Sequence, residues 1–98
     1  MSVYVIANVT ILDQEKYNEY LQAGGGTLAQ YGGKILTASS ESKVLEGNPG
    51  PLTVVVEFES MEAAQRWYDS PEYTAARKFR QRPGVSEGWL IIAPQLEM

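Results

Sequence analysis

The sequence predicts one α+β domain of ferredoxin-like β-α-β-β-α-β order: a four-stranded antiparallel sheet with its helices on one face, built to pair with a second copy. Three observations predict it. Two strand–helix–strand units stand in series, and a dense turn joins the middle two strands. The chain has 98 residues, enough for one domain spanning 1–98 with a modest core, for which oligomerisation is a natural way to bury more apolar surface. One face of the expected sheet also stays apolar after both helices have been placed on the other.

The first strand runs from about Val3 to Ile11. Val3, Val5, Ala7, Val9 and Ile11 line one side; Tyr4, Ile6, Asn8 and Thr10 line the other. One side is wholly apolar and the other partly so, as in a strand covered on both faces. Asp13 is suited to cap the following helix, with Leu12 and Tyr17 spaced as a hydrophobic staple. Tyr17, Tyr20, Leu21, Gly24, Leu28 and Tyr31 recur at helical spacing, which predicts one helix from about Gln14 to Tyr31, stopped by Gly32-Gly33. Gly24-Gly25-Gly26 interrupts its middle, where each glycine costs about 1 kcal/mol against alanine. Close packing on the sheet or a kink accounts for the triplet; so does backbone bared for a ligand.

The second strand begins at Lys34 and runs to Ala38. Ser39 to Ser42 reads as a bend or bulge, and Lys43 to Glu46 as a resumed extended segment. Gly47-Asn48-Pro49-Gly50-Pro51 is turn chemistry. Leu52 to Glu59 is the third strand, rich in β-branched residues. Ser60 caps the next helix, whose buried stripe is Met61, Ala64 and Trp67/Tyr68. Ser70-Pro71-Glu72 restarts a helix with a cap, a proline at its first position and an acid. Pro83-Gly84 ends it, and Val85 to Ala93 is the fourth strand. The first and third strands are placed in the centre of the sheet, as a parallel pair. The face away from the helices carries Tyr4, Ile6, Val55 and either Leu90 with Ile92 or Trp89 with Ile91. Closing it against a second copy by a two-fold operation is the simplest solution.

The absences narrow the chemistry. The chain has no cysteine and no histidine, hence no disulfide, no thiolate nucleophile and no imidazole base or ligand. No metal-ligand cluster stands out; Glu15 and Glu19 fall on a solvated helix face. No cofactor is expected. The net charge of -4 argues against nucleic acid as a partner. No apolar run is long enough for a membrane span, and the N-terminus lacks a signal-peptide pattern, so a cytoplasmic location is expected. The Asn8-Val9-Thr10 sequon is accordingly set aside. Neither Gly24-Gly25-Gly26 nor Gly32-Gly33-Lys34 has phosphate-loop spacing.

The run from Glu57 to Tyr73, EFESMEAAQRWYDSPEY, resembles the signature of a small bacterial family of unknown function within the dimeric α/β-barrel superfamily. Tyr4-Val5-Ile6-Ala7, Tyr31-Gly32-Gly33 and Leu45-Glu46-Gly47 are similar to it as well, so the resemblance covers essentially the whole chain. It implies a ferredoxin-like protomer and a homodimer whose two sheets face each other. It implies no settled activity. The superfamily includes cofactor-free oxygenases, isomerases, dehydrating enzymes, haem-degrading enzymes and ligand-sensing domains, and without histidine this chain does not look like the haem-using branches.

Two constellations are candidates for chemistry. Asn8 and Glu57 fall mid-strand on the two central strands, both on the face away from the helices. A carboxylate desolvated under a dimer rises in pKa unless paired, which is how a general base is made; a structural ion pair or a wet position explains the same residues without catalysis. The second constellation is Trp67, Tyr68, Tyr73, Arg77 and Arg80. A Trp/Tyr wall beside arginine can seat an aromatic or carboxylate-bearing ligand, while the size of the aromatics by itself favours core anchoring. Arg77, Lys78, Arg80 and Arg82 also complement the dipole of the last helix.

The expectation is therefore a cofactor-free, oxygenase- or isomerase-like enzyme acting on a small aromatic or carbonyl metabolite. Asn8, Glu57, Tyr73 and Arg77 would be its catalytic residues and Trp67, Tyr68 and Arg80 its ligand-binding ones. The alternatives are a non-catalytic small-molecule-binding or stress-response module, or a dimerisation domain with no pocket.

Overall fold

A computed structural model describes residues 1–97. The elements are β1 (Val3–Ile11), α1 (Gln14–Gly24), α2 (Thr27–Gln30), β2 (Lys34–Ser39), β3 (Leu52–Phe58), α3 (Met61–Asp69), α4 (Pro71–Arg80) and β4 (Ser86–Pro94). They form one four-stranded sheet in the order β2-β3-β1-β4. Every neighbouring pair is antiparallel.

The expected parallel pairing of the two central strands is thus wrong. Each helical crossover returns the chain in the direction it left, so β1 and β2 run the same way without touching. The connection between β2 and β3 reverses the chain once, which sets β3 against β1.

The caps form as the sequence predicts. The Lys16 N–H donates to Asp13 Oδ1 at 3.1 Å, and the Ala63 N–H to Ser60 Oγ at 3.0 Å. Ser70 serves two helices: its hydroxyl donates to the Trp67 carbonyl at 2.7 Å, while Oγ accepts from the Tyr73 N–H at 3.1 Å. One side chain thereby ends α3 and starts α4.

Three boundaries differ from expectation. The single helix over Gln14 to Tyr31 is broken into α1 and α2 at the glycine triplet. At Gly24 α1 packs closely on α4: a β-carbon there would lie 3.3 Å from that of Ala76. The close packing is helix on helix, not helix on sheet. Thr27 then donates its hydroxyl to the Gly24 carbonyl at 2.6 Å, satisfying a group that a continuous helix would have paired otherwise. Second, Lys43 to Glu46 forms no strand; the chain from 40 to 51 is irregular, and Leu45 is 81% exposed. Third, the buried stripe of α3 is Ala63, Ala64 and Trp67, while Met61 lies on the surface.

Val3, Val5, Val56 and Phe58 on the helix-covered face of the sheet pack against Ala64, Trp67, Tyr73 and Ala76. Register settles the other face. Asn8 pairs with Trp89 and Ile6 with Ile91, so Trp89 and Ile91 share the open face with Tyr4, Ile6 and Val55. Leu90 and Ile92 pack against the core. Trp89 is 53% and Ile91 48% exposed.

Gly88 stands before Trp89 with φ +147, and a β-carbon there would collide with the Asn8 carbonyl oxygen across the strand pair. Replacing Gly88 with alanine should cost about 3 kcal/mol, between backbone strain and collision, read as a lower urea midpoint at unchanged slope. A wild-type midpoint would show that this stretch of β4 relaxes freely.

Candidate functional site

Between sheet and helices lies a cavity of ≈ 440 Å³. Its floor is apolar: Val5 and Ala7 from β1, Val54 and Val56 from β3, Leu90 from β4. The helical side is aromatic and basic: Tyr17 and Tyr20 from α1, Trp67 and Tyr68 from α3, Arg80 from α4, with Leu28 from α2. Ser86, Glu87 and Gly88 contribute at the start of β4.

The wall is held from behind. Trp67 is buried; its Nε1–H donates to Thr27 Oγ1 at 3.0 Å, and its ring lies 4.1 Å from that of Tyr73 and 5.8 Å from that of Phe58. The Arg77 guanidinium sits 4.2 Å from the centre of the Tyr68 ring. A cation over that face braces Tyr68 from outside the cavity.

The polar end is a cluster of Arg80, Tyr20 and Tyr73. The two phenolic oxygens are 2.8 Å apart, and Arg80 Nε donates to Tyr73 Oη at 3.4 Å. Among the described residues the ion pair is Arg82 with Glu19; no carboxylate lies within 4.0 Å of the Arg80 nitrogens. Burial alone would lower the pKa of Arg80, but the Tyr73 and Tyr20 hydroxyls outweigh it and raise it above the ordinary value. Tyr20 is pushed far above its usual value, first by burial and then by Tyr73. Burial also raises Tyr17, against a smaller opposing effect of Arg80. Arg80 thus keeps its charge and Tyr20 its proton across the physiological range.

The seven residues singled out in the sequence separate into groups. Trp67, Tyr68 and Arg80 line the cavity together. Tyr73 lies behind them, fully buried and bonded to the cluster, and Arg77 reaches the site through Tyr68. Asn8 and Glu57 do not line it and are not near each other. Asn8 is opposite Thr53, whereas Glu57 is opposite Tyr4 and Lys34. Four residues along a strand put about 13 Å between them. Asn8, 7% exposed, spends its side chain on the turn before β3: Nδ2 donates to the Gly50 carbonyl at 3.0 Å and the Leu52 carbonyl at 3.3 Å, and Oδ1 accepts from the Gly50 N–H at 2.8 Å. Tyr17, Tyr20, Gln81, Ser86 and Glu87 are polar-bearing lining residues that the sequence did not single out as a site. The two tyrosines were legible as part of an apolar stripe, and the hydroxyl that each carries was the available signal.

Outside the cavity, Tyr31 Oη donates to Glu72 Oε2 at 2.6 Å, tying the end of α2 to the start of α4. This bond raises the Tyr31 pKa and, from the other side, lowers that of Glu72.

A family model described as "Domain of unknown function (DUF1330)" matches residues 2–94. "Protein YciI" of Escherichia coli O6:H1 is 45% identical over 49 residues, which are 45% of this chain and 50% of that protein. The chain thus spans about half the length of this curated relative. Among solved structures, a protein of unknown function from Rhodopseudomonas palustris superposes with TM-score 0.78 at 21% identity, covering 99% of this chain and 84% of that one. A dimeric protein of unknown function and ferredoxin-like fold from Bacteroides fragilis superposes with TM-score 0.60 at 16% identity, covering 93% of each chain. No described helix is long and apolar enough to cross a membrane, and no described group of three or more acids is placed to hold a metal ion.

The Tyr31–Glu72 bond makes a signed prediction. Because the folded Glu72 pKa lies below its ordinary value of 4.5, the stabilisation is present above that value and lost as pH falls through the folded pKa. Replacing Tyr31 with phenylalanine should raise the Glu72 pKa towards 4.5, followed by NMR titration of its side-chain carboxyl carbon. An unmoved titration would mean that the bond does not form in solution.

Proposed function

The chain belongs to the family described as domain of unknown function DUF1330, and from that premise we propose that it is a homodimeric small-molecule-binding protein whose ligand occupies the cavity between sheet and helices. The observation that carries this reading is the cavity itself. At ≈ 440 Å³ it has the size of a metabolite site, with an apolar floor and a few convergent polar groups at one end. A domain serving only to dimerise has no use for such a space, which leaves a void in its own core.

Cofactor-free catalysis on a carbonyl-bearing metabolite is the second reading, favoured by the polar end. Arg80 and Tyr20 bring a cation and a hydroxyl to one end of a space with an apolar floor, an arrangement suited to stabilising an oxyanion as it develops. Tyr73 supports both groups through its own hydroxyl, and Arg77 positions Tyr68. Asn8 fits a structural role, its hydrogen bonds being committed to the turn before β3. Turnover of a bound carbonyl compound would separate this reading from simple binding.

The dimer rests on the open sheet face. Tyr4, Ile6, Val55, Trp89 and Ile91 form an apolar surface with no cover from the chain's own helices, and the fold's dimeric likeness from Bacteroides fragilis supports closing it with a second copy.

Titration with toluene, monitored by amide NMR, should give saturable shifts at Ala7 and at the Trp67 indole N–H; an unresponsive spectrum would remove the binding reading. Replacing Ile91 with aspartate should convert the dimer to monomers in light scattering while leaving the circular dichroism spectrum unchanged. A wild-type monomer, or an Ile91→Asp dimer, would mean that this face is not the interface.

A further inference from the structure

We propose that the cavity selects monocarboxylates with a compact aromatic or branched apolar body, the carboxylate being taken by the Arg80 guanidinium and the Tyr20 hydroxyl. This deepens the binding reading above and rests on it.

Charge is unbalanced at the polar end. Arg80 is half-buried and lines the cavity, yet no carboxylate among the described residues lies within 4.0 Å of it. A desolvated cation without a counter-ion is costly, and residues in this position are offset by a neutral hydrogen-bonding shell or by an anionic ligand. The shell here is incomplete. Arg80 donates from Nε to Tyr73 Oη at 3.4 Å and its guanidinium lies 5.6 Å from the centre of the Tyr20 ring, a neutral shell that leaves donors of its planar fork for an anion.

Tyr20 supplies the second donor. Tyr20 lines the cavity, and its hydroxyl meets that of the buried Tyr73 at the cavity's edge. Either phenol can donate across the 2.8 Å Tyr20–Tyr73 bond, and in the arrangement where Tyr73 accepts from Arg80 and donates to Tyr20, the Tyr20 proton is left for a guest. A chain of hydrogen bonds running in one direction strengthens its last donor. Two donors, one of them charged, converge on an oxygen anion.

The rest of the lining decides the ligand's total charge and shape. Arg80 is the one cationic residue of the lining, and the lining acid Glu87 pairs with Thr10 in the register that turns Trp89 and Ile91 to the open face. A single cation suits one negative charge and disfavours two, which excludes phosphate monoesters. The floor of Val5, Ala7, Val54, Val56 and Leu90 offers no polar side chain to a sugar or polyol. An aryl or branched aliphatic body matches it.

Calorimetric titration of the full chain with phenylacetate, phenylacetamide and phenyl phosphate tests this. The first two share a shape and differ in charge; the third carries close to two charges at pH ~8. Wild type should bind phenylacetate about tenfold or more tighter than phenylacetamide, with phenyl phosphate weakest. Arg80→Gln should bring the first two within about twofold by weakening phenylacetate alone, Arg80→Lys should restore part of the preference, and Tyr20→Phe should reduce it. Equal binding of phenylacetate and phenylacetamide by wild type, or an undiminished preference in folded Arg80→Gln, would overturn the anion assignment while leaving the cavity as a binding site. Tighter binding of phenyl phosphate would overturn the restriction to one charge. Binding of none of the three would overturn both the assignment and the binding reading beneath it.

Discussion

The rest of the helical layer depends on one buried hydrogen-bonded chain, from the Trp67 indole N–H to the Thr27 hydroxyl and from that hydroxyl to the Gly24 carbonyl. A tryptophan this deep must satisfy its N–H inside the protein, because an unpaired buried donor costs about 1–3 kcal/mol. Thr27 meets it from just past the glycine triplet, its own proton going to the Gly24 carbonyl. The junction between α1 and α2 thereby helps to seat Trp67 between Phe58 and Tyr73. Gly24 contributes a second time by letting α1 approach Ala76 on α4. With α1 and α4 held this way, Tyr20 meets Tyr73, and Arg80 is brought to both.

Fold was legible because it rests on local signals that agree with one another. β1 reads as alternation, the serine caps read as caps, and Ser70-Pro71-Glu72 announces the break between α3 and α4 in a way that survives any tertiary context. The direction of the central strands was equally available from connectivity, and the parallel reading overlooked the single reversal between β2 and β3. Met61 misled because hydrophobicity alone does not identify the buried face of a short helix. Two small alanines sit where α3 packs closely, and the larger side chain is left outside.

The site was half legible. Trp67, Tyr68, Tyr73, Arg77 and Arg80 cluster in sequence on adjoining helices, so helical spacing brings them near one another whatever the rest of the chain does. Asn8 and Glu57 belong to different strands, and their proximity depended on register. A shift of four residues between their pairing partners separates them, and nothing in either strand's composition encodes that shift. Tyr20 is the converse case: it reads as one more apolar position in a stripe, and its importance comes from a partner 53 residues away in the chain.

Strand β1 has a consequence that follows from its alternation. Val5 and Ala7 point into the cavity, while Tyr4 and Ile6 stand on the opposite side of the same backbone. A guest in the cavity and a neighbour against the open face would therefore press on successive residues of one strand, separated by the thickness of a single sheet. Any twist or slide that accommodates one alters the surface offered to the other. If both are occupied, affinity for the guest and affinity between copies become coupled quantities, each changing the other by the same factor. The wall between the two compartments would then itself transmit the signal.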